Sequence, residues 1–141
     1  MKIQKILISC FLIFLLIGIA AATNIDSLIP PEDCGPLKDG VASYDNHIDR
    51  MFYIEKASGD YVTDWFTNTS YMTVEDVGDN IYSYADTQLK MYGYQEIVNI
   101  DGTDYLISIN QGSQLSPGEE TTLLKDMQEF NKVNNLEPVE I

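Results

Sequence analysis

The dipeptide Asp101-Gly102, set between two β-rich runs, constrains the fold of this chain more than any other feature. Tyr94 to Ile100 and Thr103 to Asn110 flank it, and Asp-Gly tolerates the positive φ angles of a type I′ turn. A two-residue loop fixes the register, with Ile100 opposite Thr103, Val98 opposite Tyr105 and Glu96 opposite Ile107. Because strand side chains alternate, Val98, Ile100, Tyr105, Ile107 and Ile109 then share one face. Gln95, Asn99, Asp104 and Ser108 share the other. Ile97 and Leu106 on that second face predict that it is not fully solvated.

A helix is predicted over 117–134. Ser116-Pro117-Gly118-Glu119 supplies an N-cap serine, a proline at the first helical position and a glutamate three residues past the cap. Leu123, Leu124, Met127, Phe130 and Val133 recur at helical spacing. Glu119 and Glu120 precede Lys125 and Lys132, the order that the helix dipole favours. Met51 to Lys56 and Tyr61 to Phe66 read as a further strand pair. Residues 71–92 lean toward strands around the Gly78-Asp79-Asn80 turn, and Val139 to Ile141 as a short edge strand. The expected class is α+β, an antiparallel sheet of hairpins packed against a C-terminal amphipathic helix (117–134).

The front of the chain points to a compartment. Ile6 to Ala22 is an apolar run behind Lys2 and Lys5, with small residues at Ala20, Ala21 and Ala22, the layout of a secretory signal peptide cleaved after Ala22. Its 17 residues reach about 25 Å as a helix, short of the roughly 30 Å of bilayer hydrocarbon. An uncleaved N-terminal anchor is the competing reading, with the lysines held inside. Under either, the protein works outside the cytoplasm, secreted or tethered to the outer face of the membrane. The domain organisation expected is 1–22 signal peptide or anchor, 23–42 a linker containing Pro30, Pro31, Gly35 and Pro36, and 43–141 a single exported domain.

Removing residues 1–22 from the 141 leaves 119, the size of one domain, and takes two lysines from a net charge of −14, leaving −16. That balance repels nucleic acid and anionic lipid, so membrane contact is expected only through the N-terminal segment. Cys34 becomes the one remaining cysteine, a free thiol with no intramolecular partner.

No motif selects a particular chemistry. His47 lies between Asp45 and Asp49, which suits an oriented acid–base histidine, but no nucleophile motif accompanies it. Asn99, Asp101 and Asp104 form a weak oxygen-ligand cluster for Ca²⁺, although turn geometry accounts for the same residues; Asp76, Asp79 and Asn80 form a second. Asn68-Thr69-Ser70 is an N-glycosylation triplet. Tyr82 with Tyr84, and Tyr92 with Tyr94, fall on common strand faces and offer aromatic contact area. The reading that follows is a non-catalytic binding module of the cell envelope or exterior, contacting a surface protein or glycan. A carboxylate-based hydrolase and a calcium-responsive structural domain are the alternatives.

Overall fold

A computed structural model describes residues 24–57 and 67–140. Six strands form one antiparallel sheet: β1 (Val41–Ser43), β2 (Arg50–Lys56), β3 (Met72–Gly78), β4 (Ile81–Asp86), β5 (Met91–Ile100) and β6 (Thr103–Gln111). One helix follows, α1 (Pro117–Val133). The class is mixed α+β. The strand order is β1-β2-β6-β5-β4-β3. Strands β3 to β6 therefore run as a meander, and β2 docks on β6. Strands β2 and β3 thus lie four inter-strand spacings apart, about 19 Å.

The central hairpin forms in the predicted register, with Ile100 opposite Thr103, Val98 opposite Tyr105 and Glu96 opposite Ile107. Asp101 and Gly102 adopt φ of 51° and 85°. Both strands extend beyond the sequence estimate, β5 back to Met91 and β6 on to Gln111. Within residues 71–92, β3 and β4 are strands joined by Asp79 and Asn80 at φ of 55° and 59°, and residues 87–90 turn the chain into β5. Strand β2 pairs with β1 on one side and β6 on the other. The partner expected for it, Tyr61 to Phe66, lies outside the described residues, as do Ala22 and the whole of 1–22.

Helix α1 begins as its sequence dictates. Ser116 Oγ accepts from Glu119 N at 3.2 Å, and Ser116 N donates to Glu119 Oε1 at 3.0 Å. Asn134, predicted as the last helical residue, is instead the C-cap. Leu123, Met127 and Phe130 are buried with Phe52, Ile54, Tyr94, Val98, Ile107 and Ile109, and the Phe52 and Phe130 rings lie 4.6 Å apart. Val133, expected on the same stripe, is instead 49% exposed.

The centre of the other face of the sheet is also buried, with Leu106, Ile97, Tyr84 and Gln95 inside. Tyr84 Oη lies 3.1 Å from Ser108 Oγ. At Gly93 a methyl group would come within 1.8 Å of the Ile109 carbonyl oxygen, so the close approach of β5 and β6 there requires glycine.

Residues 24–42, expected as a linker, are folded onto the body. Leu37 is in the core, and Ile25, Leu28 and Cys34 pack against it. Asp26 accepts from Asp39 N and Gly40 N, each at 2.9 Å, while Lys38 bridges Val41 and Cys34 bridges Tyr44. Side-chain caps and isolated bridges hold this segment, so prolines and glycines that exclude helix and long strand do not exclude order. The predicted edge strand at Val139 to Ile141 reduces to a bridge between Pro138 and Val98 and a bond from Val139 N to Ile97 O; Ile141 lies outside the described residues. Proline has no N–H to continue a ladder.

Candidate functional site

The ordered segment 29–33 runs alongside α1 and leaves a groove between them of about 870 Å³. Asn134 fixes one end: its side chain accepts from Ile29 N at 2.8 Å and donates to Ile29 O at 2.9 Å. At the other end Asp45 N donates to Asp33 O at 2.9 Å, tying the segment to the chain just beyond β1. The helix contributes Thr122, Lys125, Asp126, Glu129 and Val133, successive turns of one face.

The groove has two chemical halves. Near Asn134 it is apolar, with Ile29 56% and Val133 49% exposed, flanked by Pro30, Pro31 and the edge of Phe130. Toward the helix N-terminus it turns acidic, with Glu32, Asp33, Asp126 and Glu129 against the single cation Lys125. Burial is the main cause that raises the Asp126 carboxyl above its ordinary range, and the Asp33 charge adds to it. The Tyr44 hydroxyl, donating to Asp126 Oδ2 at 2.6 Å, opposes that shift.

Cys34 sits behind this acidic end. Burial, then the Asp126 charge, push its thiol up to about 12, so little thiolate exists at neutral pH and the sulfur is a poor nucleophile.

A second polar cluster joins the 47–50 turn to the start of α1. His47 Nδ1 meets Asp49 Oδ1 at 2.5 Å, and His47 Nε2 faces Glu119 Oε2 at 3.5 Å. Arg50 is buried; its Nη2 donates to Gln111 Oε1 at 2.8 Å and pairs with Glu119 at 3.3 Å. Gln111 Nε2 also donates to Glu119 Oε2 at 3.0 Å. The Ser116 backbone bond and then Gln111 hold Glu119 down at about 2, so it stays ionised and caps the helix. His47 thus lies between two carboxylates, one near each ring nitrogen. Asp49 and Arg50 lie close to His47 in the sequence; the β2–β6 pairing sets Gln111 opposite Arg50, and the first turn of α1 supplies Glu119.

The remaining sequence candidates are placed as follows. Asn99 Nδ2 donates to Asp104 Oδ1 at 2.9 Å and Gly102 N donates to Asn99 Oδ1 at 3.1 Å; these side chains satisfy the turn, and Asp101 points away at its tip. Among the described residues no three His, Cys, Asp or Glu side chains converge to hold a metal ion. Asn68 is exposed, and its Oδ1 accepts from Val74 N at 2.6 Å, leaving the amide nitrogen of the glycosylation triplet toward solvent. Tyr84 and Tyr94 are buried, and Tyr92 is half-buried beside a shallower depression of about 290 Å³ with Ser83, Ala85, Glu75 and Glu120. No helix among the described residues is long and apolar enough to cross a membrane.

Comparison with protein-family models, with curated proteins and with solved structures finds no match.

Proposed function

We propose that the protein is an exported, non-catalytic binding module that contacts a surface protein or glycan outside the cell membrane through the groove beside α1. The observation that carries the reading is the pair of exposed aliphatic side chains, Ile29 and Val133, lining a groove instead of the core. Large apolar side chains gathered in one concavity mark contact sites more than scattered ones do. In this reading α1 is an amphipathic element, its apolar stripe on the sheet and its polar face lining the groove. The apolar run Ile6 to Ala22 supports export, and the acidic balance supports a partner other than nucleic acid.

Retention of the purified protein on the envelope fraction of the cells that make it tests the reading. Saturable retention that Val133→Asp abolishes is expected; no saturable retention, or retention indifferent to Val133→Asp, contradicts it.

One observation favours a hydrolase as second reading. Asp126, with its raised pKa, faces Asp33 across a concave site, the arrangement that lets one carboxyl donate a proton while another stays ionised. The Tyr44 hydroxyl weighs against it, because it occupies Asp126 Oδ2. Hydrolysis of a polysaccharide or peptide panel that Asp126→Asn removes would establish the second reading over the first.

A further inference from the structure

We infer that the partner of the groove is a protein segment in extended conformation that presents an apolar side chain and, three residues along, an arginine or lysine. This rests on the groove being the contact surface and names the chemistry that the surface selects.

Segment 29–33 and α1 run antiparallel, so Ile29 lies beside Val133 and Asn134 while Asp33 lies toward Asp126. The apolar and acidic halves are therefore the two ends of one track. Val133 and Asp126 are seven residues apart on the helix, about 10 Å at its usual rise. An extended peptide covers that distance in about three residues at roughly 3.3 Å each.

At the acidic end four carboxylates face one lysine. A guanidinium there meets acceptors in forked geometry, and complementary potential steers its approach. A neutral glycan finds less. Sugar recognition draws on exposed aromatic faces, and the one ring in this groove, Phe130, is 1% exposed. The track also has no backbone ladder to offer, since Pro30 and Pro31 lack N–H groups. Recognition therefore falls to the two anchoring side chains.

The test is an amide-shift titration of the intact protein with three capped hexapeptides. One reads Gly-Leu-Ser-Ser-Arg-Gly, the second replaces its arginine by glutamate, and the third replaces its leucine by serine. The first is expected to perturb residues 29–33 and 121–133 and to bind about tenfold more tightly than either other peptide, with the preference falling at high salt. Glu129→Lys and Glu32→Lys, both at exposed positions, are expected to remove the arginine preference while the thermal midpoint holds. Equal binding of the arginine and glutamate peptides, shifts centred elsewhere, or no binding overturns the inference. Groove shifts with a neutral trisaccharide in place of the peptides also overturn it, yet leave the binding-module reading standing. That reading falls separately, if Val133→Asp leaves envelope retention intact.

Discussion

Glu96 is buried without solvent contact on the helix-facing side of β5, directly opposite Ile107. Among the described residues neither of its carboxyl oxygens has a hydrogen bond, nor does the buried Asn131 Oδ1 on α1 above it. Burial pushes the Glu96 carboxyl up to about 8 from 4.5. The sign follows from proton linkage. Between these two values the folded protein keeps a proton that the unfolded chain releases, so stability falls as pH rises from about 4.5 to about 8. At pH 7 the loss relative to pH 4 is on the order of 3 kcal/mol. Glu96→Gln removes the titration and supplies an N–H donor for Asn131. Thermal melts across pH 4 to 9 should show the variant more stable than the parent above neutrality and nearly equal near pH 4. Parallel pH profiles for the two proteins would contradict this account of Glu96.

At the scale of elements, the parts with local chemistry are the ones legible in the sequence. Asp101-Gly102 dictates the hairpin register because the turn needs two consecutive residues at positive φ. The capping box dictates where α1 begins because both of its bonds lie within four residues. Replacing Ser116 by alanine removes the oxygen that accepts from Glu119 N, and chemical denaturation should register a loss of about 1 kcal/mol. An unchanged midpoint would mean that the tertiary bonds of Glu119, to Gln111 and Arg50, hold the helix start without the cap.

Segment 24–42 was not legible as structure because its order comes from distant partners, Asp26 with Gly40 and Asn134 with Ile29, which no periodicity records. The candidate site shares that origin. Its two walls are about 100 residues apart in sequence, and prolines at 30 and 31 read locally only as breakers. The same long-range placement explains His47. Its neighbour Asp49 is visible in the sequence, but Glu119, which lies near its second nitrogen, is not.

At the scale of the whole molecule, much of the sheet's outer edge is bonded, though β3 beyond Val74 is not covered by these contacts. Residues 33–38 bond along β1. Asn68 and Thr69 bond to Val74 N and Met72 N on the outer side of β3, and Pro138 and Val139 lie along β5 where β4 has ended. Blunted edges guard against strand-to-strand association, and they remove edge pairing at those positions as a route to a partner. The groove with Ile29 and Val133 is open, on a surface whose strong negative charge favours solubility and cationic partners.

If Ile29 and Val133 serve contact and not packing, as proposed, thermal unfolding of the Ile29→Ser, Val133→Ser double variant will show it. Exposed substitutions away from core contacts change stability by less than about 1 kcal/mol, so the midpoint should stay within about 3 °C of the parent while envelope retention is lost. A midpoint lowered by about 8 °C or more would place these side chains in the load of the fold and contradict the account.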